Sequence, residues 1–181
     1  DKKKTSNFVT QFMLEHLIKS KTRLKLLIKF FVNISNTGYL NGLASEFGES
    51  TNSIRKELNN LSKAGYLLKS SSNNKIIYSA NQKHPLFNTL QKIVRQHLGI
   101  EHVLEVIFDK IGDIEKIYLL GDSARGIDSG LIEILIIGSN IDNNFLEEIS
   151  IKIEKIINRK VKFSTEMLIE DKFDLLIYNA Q

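Results

Sequence analysis

The sequence predicts an α+β protein built from two units, and three observations lead to that fold class. Apolar residues recur at helical spacing through most of residues 7–64, and a short hairpin pattern follows. After residue 100, strand-like apolar runs alternate with helical segments. Residues 1–98 carry 16 Lys and Arg against 5 Asp and Glu, whereas residues 99–181 carry 9 against 16. This change of charge indicates two modules with different partners.

The first unit, residues 1–84, is predicted to contain four helices and a hairpin. The helices are expected at 7–19, 22–34, 41–48 and 50–64. Asn41 is the expected N-cap of the third helix, Gly48 the turn after it, and Gly65 the end of the fourth. The segment SNTG at 35–38 is predicted to end the helical pattern of 22–34, and the hairpin is predicted to have a polar tip at 71–74.

Residues 85–99 are predicted to form a linker that also serves as a dimerisation helix. Pro85 suits the first position of a helix over 85–98. Leu86, Leu90, Ile93 and Val94 have the spacing that packs against a partner helix, and burial inside the same chain is the alternative.

The second unit, residues 100–181, is predicted to be a small α/β domain with a mixed sheet. Helical spacing occurs at 101–111 and 144–158. Strands are predicted at the four apolar runs 114–120, 131–137, 160–165 and 173–178.

Composition excludes several kinds of site. The chain has no cysteine, which excludes disulfides and thiolate metal sites and favours a cytoplasmic location. No apolar run approaches the roughly 18 residues that span a membrane. The four histidines, His16, His84, His97 and His102, form no ligand pattern, so neither a metal nor another cofactor is expected.

The order helix, short helix, tight turn, helix and hairpin is that of a winged helix-turn-helix. Residues 40–67, LNGLASEFGESTNSIRKELNNLSKAGYL, resemble the core of ArsR- or MarR-type transcriptional regulators. The resemblance depends on the turn after Gly48, on Ile54, Leu58 and Leu61, and on the closing Ala-Gly-Tyr-Leu. It implies a regulator that binds double-stranded DNA as a homodimer, with a small-molecule effector as a further candidate partner.

In that fold the second helix of the pair enters the major groove and the hairpin touches the backbone or the minor groove. Arg55 has the length and the paired donors to read guanine. For Lys69 and Lys75, a solvated surface is the alternative interpretation. The predicted DNA-binding residues are Ser50, Thr51, Asn52, Ser53, Arg55, Lys56, Lys69, Asn73, Asn74 and Lys75.

The stretch LLGDSARGIDSGLIEILIIG, residues 119–138, resembles the nucleotidyltransferase fold of the DNA polymerase beta superfamily. That family has a Gly-Ser turn for the triphosphate and an Asp-x-Asp pair that, with a third acid, holds two magnesium ions. The resemblance covers residues 100–168. The matching but degenerate motif comprises Gly121, Asp122, Ser123, Arg125, Gly126 and Glu133.

The acids that the family's chemistry requires are missing. Asp122 stands where the family has Ser, and its carboxylate would repel a triphosphate. Leu131 and Glu133 align with the Asp pair, so one acid survives, and KVKFST at 160–165 supplies no third. The resemblance therefore implies a fold that has lost catalysis, with no catalytic residue and no metal.

Three functions remain as hypotheses. The first is a DNA-binding regulator whose inactive nucleotidyltransferase-like domain serves sensing or assembly. The second is an active, magnesium-dependent nucleotidyltransferase. The third is a protein-interaction module.

Overall fold

The computed structural model describes residues 17–108, 111–166 and 174–180. These residues form seven helices and seven strands in two sheets, so the α+β class is confirmed. In chain order the elements are α1 (Lys21–Val32), β1 (Thr37–Tyr39), α2 (Leu40–Phe47), α3 (Thr51–Lys63), β2 (Leu67–Ser72), β3 (Lys75–Ala80), α4 (Phe87–Leu98), α5 (Ile100–Phe108), β4 (Asp113–Leu120), α6 (Gly121–Ala124), β5 (Leu131–Ser139), α7 (Asn143–Ile157), β6 (Lys160–Ser164) and β7 (Leu175–Asn179).

The first half combines α1, α2 and α3 with an antiparallel sheet of order β1-β3-β2. Ser50 caps α3, since its Oγ accepts a hydrogen bond from the Ser53 amide at 3.1 Å. Gly48 has a φ of 62°, a left-handed conformation that lets α2 end and turn sharply into α3. Ile54, Leu58 and Leu61 are buried, as their spacing predicts.

Several boundaries differ from the predictions. Asn41 is not an N-cap: α2 begins at Leu40, after Tyr39, because residues 37–39 form a strand that leads directly into the helix. The helical pattern does end before this strand, since α1 ends at Val32 and residues 33–36 are not helical. Pro85 lies in a turn, and α4 begins at Phe87. The helix predicted over 101–111 is described as far as Phe108, and Ile111 is not helical.

The helix predicted over 7–19 lies outside the described residues except at its last three. Of these, Ile18 and Lys19 are not helical.

The second half has a four-stranded sheet of order β6-β5-β4-β7. β5 and β6 are parallel and the other pairs antiparallel, so the predicted mixed sheet is confirmed. Asp142 caps α7 by accepting a hydrogen bond from the Phe145 amide. The apolar face of α7 is buried through Leu146, Ile149, Ile153 and Ile157.

The buried apolar side chains form one continuous cluster with members in both halves. α4 packs against α1, and the rings of Phe31 and Phe87 lie 5.7 Å apart. Val94 and Leu98 are buried, whereas Leu86 precedes the helix and is 46% exposed. The apolar face of α4 is therefore used largely within its own chain.

Ion pairs fix α1 to the following helices. Arg23 pairs with Glu57 and Lys29 with Glu46, each at 2.8 Å. Burial alone would raise the pKa of the Glu57 carboxyl, but hydrogen bonds from Arg23 and Ser20 outweigh it and hold that pKa below its ordinary value.

In the described part of the chain, none of the helices has both the length and the apolar character needed to cross a membrane.

Candidate nucleic-acid interface and nucleotide-like loop

The first turn of α3 uses part of the predicted set for its own structure. The Ser50 and Ser53 hydroxyls lie 2.9 Å apart, and Ser53 is half-buried. Thr51 and Asn52 are exposed. The two serines therefore shape the helix start, and Thr51 and Asn52 are the side chains that project from it.

A polar row continues along the exposed face of α3. Arg55 Nη1 donates to Asn52 Oδ1 at 3.1 Å, which orients the guanidinium. Asn59, one helical turn beyond Arg55, lies on the same side of the helix. Lys56 is also exposed. The row offers amide and guanidinium groups, which are the types that read base edges.

The hairpin of β2 and β3, which we call the wing, places its two lysines over aromatic rings. Lys75 Nζ lies 4.3 Å from the centre of the Tyr39 ring, and Lys69 Nζ lies 5.7 Å from that of Tyr78. Both distances fall within the range of cation–π attraction. The stacking restrains two long side chains that would otherwise lose more entropy on binding a phosphate.

The hairpin tip is a tight two-residue turn. Asn73 and Asn74 have φ values of 47° and 58°, the pair of left-handed conformations that a type I′ turn needs. Asparagine tolerates this conformation better than most residues. Their presence is thus explained by the turn, and their exposed amides remain available at the tip.

A cleft of about 380 Å³ lies between α3 and the wing, and we call it the wing cleft. It contains three cations, Arg55, Lys69 and Lys75, and no acidic residue. The complete lining is Tyr39, Leu40, Asn41, Arg55, Asn59, Lys69, Lys75, Ile76 and Tyr78.

Sequence reasoning missed Tyr39, Asn59 and Tyr78 as members of this surface. Asn59 was recoverable, since it follows Arg55 by four residues on a helix. Tyr39 could not be placed because β1 was not predicted.

Residues 121–130 join β4 to β5 and contain the one-turn helix α6. Because they include most of the motif that resembles a nucleotidyltransferase, we call them the nucleotide-like loop. Gly121 has a φ of 58°, and a Cβ there would collide with Glu133 Oε2. Ser123 is buried and its Oγ donates to the Leu131 carbonyl at 2.8 Å. Arg125 Nη2 pairs with Asp122 Oδ1 at 2.7 Å. Each polar member of the turn thus has a partner within the protein.

Glu133 faces a cation from the neighbouring strand. It is in register with Lys162 of β6, and Lys162 Nζ lies 3.7 Å from Glu133 Oε1. The cross-strand neighbour of Glu133 is therefore a basic residue. An ammonium at this distance opposes a metal ion at the same carboxylate.

The end of the loop docks on the first half. Asn33 Nδ2 and Asn36 Nδ2 both donate to the Ala124 carbonyl at 3.2 Å, and both asparagines are buried. A Cβ on Gly126 would lie 2.5 Å from Lys29 Cα. The Ala-Arg-Gly segment thus forms a contact between the two halves.

A bidentate ion pair holds the following residues. Arg159 donates from Nε and Nη2 to the two carboxylate oxygens of Asp128, at 3.0 and 2.7 Å, and from Nη1 to the His97 carbonyl at 3.2 Å. Burial alone would raise the pKa of Asp128, but Arg159 outweighs it and lowers that pKa. Through Arg159, Asp128 therefore joins the loop to the turn between α7 and β6 and to the end of α4.

Within residues 17–108, 111–166 and 174–180, no group of three or more His, Asp or Glu side chains is arranged to hold a metal ion. His84 instead stacks on Tyr66, with ring centres 4.2 Å apart. Comparison of the chain with protein-family models, with curated proteins and with solved structures finds no match in any of the three.

Proposed function

We propose that the protein is a DNA-binding transcriptional regulator of the winged helix-turn-helix type. The observation that carries this proposal is the wing cleft, where Arg55, Lys69 and Lys75 converge without an acid among the lining residues. A surface with three cations and no anion favours a polyanionic partner, because each neutralised phosphate releases condensed counterions.

In the proposed complex the exposed row on α3 enters the major groove of double-stranded DNA. Asn52 and Arg55 face base edges, and the wing lysines face the backbone. The hydrogen bond between Asn52 and Arg55 supports this assignment, since it holds the guanidinium in one orientation before binding.

The second half is proposed to be a nucleotidyltransferase-like domain without catalysis, which serves sensing or assembly. The pairing of Arg125 with Asp122 and of Lys162 with Glu133 supports this, because both acids of the motif are paired with a cation of the same chain. The docking of Ala124 and Gly126 on the first half gives the loop a structural role instead.

A homodimer is part of the proposal, since half-site spacing in operators mirrors a protein two-fold axis. Most of the apolar face of α4 is used inside the chain, so exposed Leu86 is the α4-region residue best placed to contribute. Sedimentation equilibrium of the wild type and of Leu86→Ser tests this. A wild type that stays monomeric at high micromolar concentration while binding DNA would rule out the dimer.

The DNA proposal is tested by fluorescence anisotropy with selected and random duplexes over a range of salt concentrations. We expect affinity to fall steeply with salt and Lys69→Ala/Lys75→Ala to reduce the slope by about two phosphate contacts. Lys152→Ala, an exposed lysine of α7, is the matched control and should leave the slope unchanged. A wild type without measurable affinity for any duplex at low salt would refute the proposal.

A further inference from the structure

A second cavity, of about 650 Å³, lies where the first half meets the end of the nucleotide-like loop, and we call it the junction cavity. Its apolar wall comprises Leu24, Ile28 and Phe47 of the first half and Ile127 of the second. The volume falls in the roughly 300–1,000 Å³ range of small-molecule sites. Gly121, Asp122 and Glu133 are not among its lining residues, so the junction cavity is separate from the nucleotide-like end of the loop.

The charges of the junction cavity leave a positive excess. Its two acids are already paired with cations outside the lining, Glu46 with Lys29 at 2.8 Å and Asp128 with Arg159 at 2.7 Å. Lys19 and Lys21 also line the cavity and are exposed. Among the described residues, neither ammonium has an acidic partner within 4.0 Å. Lys21 acts on Glu49 only through space, since its charge helps to lower the pKa of that carboxyl. An occupant with an anionic end would therefore find two ammonium groups without an acid of the described residues at ion-pair distance.

We propose that the junction cavity binds a small amphipathic carboxylate, with its apolar body against the wall and its carboxylate at Lys19 and Lys21. The apolar wall gains free energy by covering hydrocarbon, and the lysines select for charge. A neutral molecule of the same shape would lose the second contribution.

The position of Lys25 couples this cavity to α3. Lys25 Nζ donates to the Phe47 carbonyl at 3.0 Å and to Glu49 Oε1 at 2.8 Å, so it ties α1 to the turn that leads into Ser50. Lys25 also lines the cavity. An occupant whose apolar body lies against Phe47 disturbs the contacts of Lys25 with the Phe47 carbonyl and with Glu49, and so loosens the turn before α3. This coupling rests on the proposed DNA binding, whereas occupation of the cavity does not.

The test uses the full chain and decanoate as the probe, by isothermal titration calorimetry below the micelle concentration. We expect saturable 1:1 binding to each chain, with decanol at the same concentration binding at least about tenfold more weakly. Lys19→Glu/Lys21→Glu should weaken decanoate by about tenfold, since two attractions become repulsions. Lys152→Glu, the same charge change on α7, should leave the affinity unchanged. The proposal would be overturned if Lys19→Glu/Lys21→Glu and Lys152→Glu bound decanoate with the same affinity, or if the wild type bound decanol as tightly as decanoate.

A second variant tests the apolar wall. Ile127→Trp fills the cavity and should reduce decanoate affinity at least about tenfold, while the far-UV circular dichroism stays that of the wild type. Failure of decanoate to bind the wild type overturns the inference.

The coupling is read from DNA anisotropy with and without decanoate. We expect decanoate to weaken DNA binding several-fold in the wild type and to have no effect in Ile127→Trp. If the protein binds decanoate saturably but has no affinity for DNA, the ligand site is supported and the proposed DNA-binding function is refuted. If the protein binds DNA but not decanoate, only the proposed ligand site is refuted.

Discussion

Gly126 lies directly on the backbone of Lys29, so close that a Cβ on the glycine would come within 2.5 Å of Lys29 Cα and 2.7 Å of its carbonyl oxygen. Lys29 belongs to α1 in the basic half, and Gly126 lies in the nucleotide-like loop of the acidic half. Lys29 also pairs with Glu46 of α2. One residue of α1 therefore contacts both the loop and the helix pair proposed to read DNA.

Gly126→Ala should separate the two halves at this contact. Its left-handed φ of 74° and the collision with Lys29 predict a loss of about 2–4 kcal/mol in the free energy of unfolding. Urea denaturation measures it. Gly130→Ala is the matched control, because Gly130 has a φ of 80° but no neighbour within 4 Å, and it should lose only about 1 kcal/mol. Equal losses in the two variants would argue against tight packing of the loop on α1.

Much of the fold was predictable because its signals are local. Ile54, Leu58 and Leu61 recur at helical spacing, and the apolar runs of β4 and β5 are short and rich in isoleucine, which favours strands over helices. β1 was missed because three residues that contain Gly38 carry little periodicity, and they become a strand only by pairing with β3. The start of α2 was misplaced for the same reason.

The candidate site was less predictable, because its defining contacts are distant in sequence. Arg55 and Lys75 could be proposed from the helix and hairpin patterns alone. The stacking of Lys75 on Tyr39 and the approach of Lys162 to Glu133 depend on strand register, which periodicity does not give. The role of Gly126 against Lys29 needs the packing of the two halves, for which the sequence carries no local signal.

Acid should weaken the fold through Glu57. Its pKa is lowered in the folded state from an ordinary value of 4.5, so the folded protein binds the proton less readily than the unfolded chain. The stabilisation is therefore complete above about pH 4.5 and is lost as the pH falls through the lowered pKa. We expect the free energy of unfolding to fall by about 1 kcal/mol more in the wild type than in Glu57→Gln as the pH is lowered from about 7 to 3.

Urea titrations at a series of pH values measure this difference. Glu148→Gln, at an exposed site on α7, is the control and should keep the wild-type pH dependence. If Glu57→Gln shows the same pH dependence of the free energy of unfolding as the wild type, the ion pair of Glu57 with Arg23 does not cause the loss of stability in acid.

Truncation of Arg55 and truncation of Lys75 should change DNA binding in different ways. Arg55→Ala should lose about 1–3 kcal/mol on a selected site and relax its sequence preference, because a base-reading donor pair is removed. Lys75→Ala should weaken all duplexes alike and reduce the salt slope by about one contact. Lys63→Ala, in the last turn of α3, is the control on the same helix. Small and equal effects of both changes on specific and random duplexes would count against the winged-helix assignment.

The last prediction concerns the absence of catalysis. Two-metal chemistry needs carboxylates fixed close together, because each ion requires several anionic oxygens to offset its dehydration. Here Glu133 has Lys162 at 3.7 Å, and Asp122 holds Arg125 at 2.7 Å. We therefore expect no tight binding of ATP with magnesium by calorimetry and no transfer of labelled nucleotide to protein or nucleic acid.

Introducing the acid pattern of nucleotidyltransferases into the loop provides the matched comparison. Asp122→Ser/Leu131→Asp removes the carboxylate that repels phosphates and adds an acid two residues before Glu133, so some affinity for nucleotide should return. Turnover should still be absent, because Lys162 keeps its charge beside the site and the described residues bring no group of three acids together there. Adding Lys162→Asp to these changes should strengthen magnesium binding further, since an attraction replaces a repulsion. Turnover by the unmodified protein, abolished by Glu133→Gln, would falsify the assignment and make the enzyme hypothesis the better one.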